Sequence, residues 1–182
     1  MPAGVTELII AFNIVGAVFT VIAGTLLHFT YDWCGRKKLA GAFSAVNEST
    51  WEHLKLLFTP MFAFSILEFL VYGRTLQNFF AVRFLSILLG MAVIVIAFYT
   101  YVGIIGKHFL AADIGTLLLG VIVAYWFSAS LLPTSRFTAA GINQLGVFGM
   151  LLLLACVVFF TFAPPHIPLF KDPVTGRYGR TA

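Results

Sequence analysis

The sequence predicts an all-α polytopic membrane helix bundle with five transmembrane helices. Three observations carry this. The 182-residue chain is 60% hydrophobic and 10% charged, with a mean hydropathy of +1.00, more apolar surface than a soluble core of this size needs. Its apolar residues fall into five runs, each near or above the roughly 20 residues that cross a bilayer as a helix. Charged or Gly- and Pro-containing breaks separate the runs. Lipid offers the backbone no hydrogen-bond partners, so each run must be helical.

The first span covers residues 5–29 and ends in Tyr31-Asp32-Trp33-Cys34-Gly35-Arg36-Lys37-Lys38, the aromatic and charged composition of a membrane interface. Met1-Pro2-Ala3-Gly4 lacks a basic n-region, so the run reads as a span and not as a signal peptide. The second covers 51–72, carries Pro60, which should kink it, and stops at Gly73-Arg74. The third covers 79–105, and Gly106-Lys107-His108 links it tightly to the fourth, 109–132. Pro133-Thr134-Ser135-Arg136 precedes the fifth, 137–162, which Ala163-Pro164-Pro165 terminates. The chain thus divides into a five-helix transmembrane domain, residues 1–163, and a Pro/Gly-rich cytoplasmic tail, residues 164–182.

Five spans put the termini on opposite sides. One side holds Arg36, Lys37, Lys38, Lys55, Lys107, Lys171, Arg177 and Arg180; the other holds Arg74, Arg83 and Arg136. Basic loops face the cytoplasm, so the N-terminus is expected outside and the C-terminus inside, in a multi-pass protein of the cell membrane. The net charge of +4 is then a topology signal. The lipid bilayer is the expected partner, and no nucleic acid is implied. Cys34 and Cys156 have neither metal-motif spacing nor the number for a disulfide framework. No phosphate-binding glycine motif and no internal repeat is visible. Small residues recur every fourth position at Ala112, Thr116, Gly120, Ala124 and Ser128 and at Gly16, Thr20 and Gly24, with a weaker pair at Ser86 and Gly90. Such stripes let helices approach closely, within one chain or in a homo-oligomer.

Against this apolar background stands Asn47-Glu48-Ser49-Thr50-Trp51-Glu52-His53-Leu54-Lys55. Much of it suits a helix start at a membrane surface. Ser49 and Glu52 fit a capping box, Glu52 and Lys55 an i,i+3 ion pair, and Trp51 an interfacial anchor. On a helical projection Glu48, Glu52 and Lys55 share one face, and Ser49, His53 and Leu56 the next. The span order also brings His28, His53, His108 and His166 to one membrane face, with Asp113 just deeper. Ionisable groups inside a membrane protein are costly and are functional candidates. Glu52 and His53 are the candidate acid–base pair. His28, Glu48, His53, His108 and Asp113 are candidate ligands for a divalent transition metal such as zinc, which takes imidazole nitrogen and carboxylate oxygen. Ser49-x-x-Glu52-His53 lacks the first histidine of the inverted zinc-protease pattern. On the other side, Glu68 should pair with Arg74 or Arg83, and Asn13, Asn143 and Gln144 are available for bonds between helices. Tyr99, Thr100 and Tyr101 read as packing and interface residues.

The run from Ala45 through Asn47-Glu48-Ser49-Thr50-Trp51-Glu52-His53-Leu54-Lys55 to Pro60 resembles the signature of the DUF6512 family of uncharacterised small bacterial membrane proteins, and the ending from Phe162 through Pro164-Pro165-His166-Ile167-Pro168 to Gly179 is similar to that family's tail. The likeness implies that the charged stretch and the tail belong together, and it carries no catalytic residues. Prolines restrict the tail to extended or turn conformations. It either folds over the inner mouth, bringing His166 near His53, or lies solvated at the headgroups. Three functions follow as expectations: a metal-binding or hydrolytic site at the cytoplasmic face, a small transporter, or a structural or partner-binding membrane subunit.

Overall fold

The computed structural model describes residues 3–180; Met1-Pro2 of the N-terminal reading and the last two residues of the tail lie outside them. Among the described residues six α-helices form: α1 (Ala3–Trp33), α2 (Lys38–Phe43), α3 (Thr50–Val71), α4 (Phe79–Ile105), α5 (Leu110–Leu131) and α6 (Ile142–Phe162). Five of them, all but α2, are long and apolar enough to cross a membrane. The chain is a multi-pass membrane protein.

The span edges mostly follow the breaks in the sequence. The exception is the last span. Residues 137–141 are loop and not helix, because Phe137 (φ 61°) and Gly141 (φ 84°) adopt left-handed backbone that no α-helix continues through. The six-residue α2, too short and too little apolar to show as a span, follows the turn at Gly35 and Arg36 that ends α1.

α3 lies at the centre. Trp51, Leu54, Leu57, Phe58 and Met61 form the main core with Ile87, Met91 and Ile94 of α4 and Val121, Ala124 and Tyr125 of α5. The outer faces carry exposed Ile14, Val18 and Ile22 of α1, Ile122 of α5 and Leu145 and Phe148 of α6, as a lipid-facing surface requires.

Small residues set the close approaches. A methyl group at Gly120 would meet the Gly90 carbonyl oxygen and Ile94, and one at Gly16 would meet Phe64 and Tyr125. Gly24 abuts the Leu56 carbonyl oxygen. That carbonyl is the one Pro60 leaves without its intrahelical donor, four residues back. The stripes foreseen on α1, α4 and α5 are thus used inside this chain. Gly146 and Gly149 of α6, not foreseen, approach the Phe80–Ala81 backbone and the Phe84 ring.

Polar residues join the helices at the end away from the tail. Arg83 pairs with Glu68, both 0% exposed, and Tyr72 donates from its hydroxyl to Glu68 Oε1 at 2.7 Å. Asn143 of α6 accepts from the Phe80 and Ala81 amides in the first turn of α4, a cap supplied by another helix. Asn13 donates within its own helix, to Ile9, and not across helices.

Candidate functional site

A second group of polar residues gathers at the tail end, the end of the bundle where α1, α4 and α6 finish and α3 and α5 begin. The loop joining α2 to α3 shapes this end. Ser49 caps α3, accepting from the Glu52 amide at 3.4 Å. Asn47 Oδ1 accepts from the Ser49 amide at 2.8 Å, a turn that fixes Glu48 ahead of the helix. The capping box is only half formed. Glu52 does not reach back to Ser49; its Oε2 accepts from the Val46 amide at 2.9 Å and meets Lys55 Nζ at 2.5 Å. Lys55 in turn donates to the Gly41 carbonyl at 2.9 Å and to Thr161 Oγ1 at 2.8 Å. The pair is fully enclosed and ties α2, the loop, α3 and α6 together. Trp51 is no interfacial anchor either. It is 8% exposed, with Phe170 at 4.8 Å and Phe160 at 5.4 Å between ring centroids.

Held this way, Glu48 turns back over the start of α3. Its Oε2 lies 3.4 Å from His53 Nε2 and its Oε1 3.8 Å from His28 Nε2. One ligand atom from each of His28, Glu48 and His53 lies within 4.8 Å of the others. His53 Nδ1 is 3.0 Å from the Ser49 carbonyl oxygen. A carbonyl only accepts, so Nδ1 carries the hydrogen and Nε2 presents its lone pair toward Glu48 and His28 when the ring is neutral. Metal-ligating histidines are commonly oriented by such a bond. His28 Nδ1 is buried without a partner among the described residues.

These three residues line a cavity of about 460 Å³ that also holds His108 and Asp113. His108 Nδ1 is 3.2 Å from Asp113 Oδ2, and Tyr101 donates from its hydroxyl to Asp113 Oδ1. The cavity therefore has two histidine–carboxylate sets, one on α1, α3 and the preceding loop, the other at the α4–α5 link. Thr25, Thr50 and Thr116 add hydroxyls; Leu56, Ile94, Phe98 and Leu117 make the rest largely apolar.

The tail folds back over this end. Lys171 pairs with Tyr178 in a short hairpin closed by Asp172, which accepts from the Val174 amide and from Thr175 Oγ1. Its tip, Pro173 and Val174, lines the cavity. Asn47 Nδ2 donates to the Gly179 carbonyl at 2.9 Å, the Arg180 amide donates to the Thr161 carbonyl at 3.0 Å, and Arg180 Nε donates to the Tyr31 hydroxyl at 2.8 Å.

Of the residues singled out in the sequence, His28, Glu48, His53, His108 and Asp113 share one cavity. Glu52 is turned away into the ion pair with Lys55 and is not among the three clustered ligands. The helical projection put Glu52 with Lys55, as observed, and misplaced Glu48, which precedes the helix and obeys no helical period. His166 is not drawn to His53; it stacks exposed on Tyr178, ring centroids 4.5 Å apart. Tyr101, read as a packing residue, is the partner of Asp113.

Among known proteins, a family model described as "Family of unknown function (DUF6512)" matches residues 7–180. No curated protein and no solved structure matches the chain.

Proposed function

The chain belongs to the DUF6512 family, and from its site we propose a membrane-embedded metal-dependent hydrolase whose centre is His28, Glu48 and His53. The observation that carries this is the convergence of two imidazole nitrogens and a carboxylate within 4.8 Å on a cavity wall. A tetrahedral zinc ion about 2.0–2.1 Å from each ligand places neighbouring ligand atoms about 3.3 Å apart. Glu48 Oε2 lies 3.4 Å from His53 Nε2 and Oε1 lies 3.8 Å from His28 Nε2, so a rotation of the carboxylate and an approach of the two imidazoles would bring one atom of each residue to that spacing. Three protein ligands leave a fourth position for water, which a zinc ion lowers toward neutral pKa and turns into a nucleophile. Glu52 and Lys55 act here as positioning residues, holding the loop that presents Glu48.

The same reading puts the tail end of the bundle at the cytoplasmic face of the cell membrane. Lys55 and Arg83 are buried in ion pairs and drop out of the charge comparison. Arg36, Lys37, Lys38, Lys107, Lys171, Arg177 and Arg180 still outweigh Arg74 and Arg136.

Elemental analysis of the protein purified in detergent without chelator tests the proposal. A stoichiometric first-row metal is expected, lost in His53→Ala and Glu48→Gln and retained in His166→Ala. Cobalt substitution should give the visible spectrum of a four- or five-coordinate ion. Protein that takes up no metal after zinc or cobalt loading would leave only a histidine–glutamate ion-pair cluster and end the hydrolase reading.

A further inference from the structure

The cavity does not close at its apolar side. A second cavity of about 250 Å³ adjoins it, sharing Val21 and Leu118, and runs on between α1 and α5 past Val18, Ile22, Val121 and Ile122. Its lining residues are all apolar. Val18, Ile22 and Ile122 are each more than half exposed, so this groove opens sideways toward lipid.

Its length and depth identify an occupant. From His28 to Val18 the groove follows ten residues of α1, about 15 Å at 1.5 Å per residue. That is half of the roughly 30 Å hydrocarbon core, the depth of one leaflet. The polar end lies where the spans finish. His28 is five residues before the end of α1 and His53 is in the first turn of α3. With the ends of the spans set at the bilayer surface, this end falls at the boundary between headgroups and acyl chains. The ester carbonyls of glycerolipids sit at that boundary, with their chains running inward from it. The groove thus joins a carbonyl-level ligand cluster to a chain-length apolar track.

We propose that the substrate is an acyl glycerolipid taken sideways from the bilayer, with its ester carbonyl at the His28–Glu48–His53 centre and its acyl chain in the α1–α5 groove. This rests on the hydrolase reading. Water is the co-reactant. A metal held by His28, Glu48 and His53 would polarise the ester carbonyl and activate the water. The water oxygen bonds to the ester carbonyl carbon, and the bond from that carbon to the glycerol oxygen breaks. One water proton passes by way of His108, which stands with Asp113 on the α5 side of the cavity, to the glycerol oxygen, which leaves as an alcohol. The acyl group leaves as a fatty acid carrying the other proton, which it releases to solvent. One water is consumed and no redox change occurs.

The test uses the full chain in phosphatidylcholine nanodiscs doped with a phosphatidylethanolamine that carries a photoactivatable diazirine midway along one acyl chain. Cross-links are mapped by mass spectrometry, and metal content and fatty-acid release are measured on the same preparations. Cross-links should concentrate on Val18, Ile22, Leu118 and Ile122 and be lost in Leu118→Trp, which fills the groove from a lipid-facing position. Leu145→Trp, on the exposed face of α6, should keep them and certify that an added indole is tolerated. Leu118→Trp should retain metal yet lose fatty-acid release, whereas His53→Ala should lose both metal and release and keep the groove cross-links. Cross-links spread evenly over all lipid-facing helices, with metal bound, would overturn the lipid assignment and leave the metal centre standing. Groove cross-links without any metal would overturn the hydrolase reading instead.

Discussion

Glu48 and Glu52 stand four positions apart, and their surroundings differ completely. Glu48 is half exposed between two imidazoles; Glu52 is enclosed against Lys55. A buried pair contributes little net stability as a pair, because desolvation offsets attraction, but removing one partner strands the other charge. Lys55→Met should therefore cost about 3–5 kcal/mol, read as the loss in denaturant or thermal unfolding in detergent. Glu52→Gln with Lys55→Met should recover much of that loss. If the double variant proved no better than the single, the pair would not be the energetic unit described here. The histidines were partly legible from the sequence, because counting spans brings His28, His53 and His108 to one end. The choice between Glu48 and Glu52 was not, because it depends on where α3 begins, and the Asn47 turn sets that boundary. His166 shows the same limit: span order gave its level, and the hairpin that stacks it on Tyr178 decided its direction.

At the scale of helices, periodicity told which small residues face protein but not which partner each meets. Gly24 and Gly115 separate the two cases. A methyl group at Gly24 would collide with the Leu56 carbonyl oxygen, while one at Gly115 would meet nothing within 4 Å. Gly24→Ala should destabilise by about 1–3 kcal/mol, since backbone must move to admit it. Gly115→Ala, in the interior of α5, should be neutral or stabilising by about 0.5–1 kcal/mol through helix propensity. Unfolding midpoints of the two variants in the same detergent check both signs. The loop before α6 was misread for a related reason. Its residues continue the apolar composition of the span, and only the left-handed backbone at Phe137 and Gly141 breaks the helix.

Across the whole molecule, the tail closes the site end. Its anchor is Phe170, 5% exposed among Trp51 and Phe160. Phe170→Ala should cost about 3–5 kcal/mol of local packing, enough to release the hairpin without unfolding the spans. Trypsin should then cut at Lys171 and Arg177 faster than in the parent, while the five spans stay resistant. Equal cleavage rates would mean that the tail is held by its polar contacts alone. Sequence made the span number plain because a bilayer imposes one rule on every helix. The tail obeys no such rule; its prolines narrowed it to extended and turn forms, and the hydrogen bonds of Asn47, Thr161 and Tyr31 chose among them.

The Glu68–Arg83 pair also bears on how the protein is made. Lys55 neutralises Glu52 from within α3, but Glu68 receives its cation only from α4, across the short turn at Gly73–Thr75. An α3 released alone into lipid would carry an uncompensated carboxylate, which hydrocarbon strongly disfavours. The two helices should therefore insert as a hairpin whose second arm brings the counter-ion that lets the first arm stay, and a chain ending after α3 should insert less well than one that includes α4.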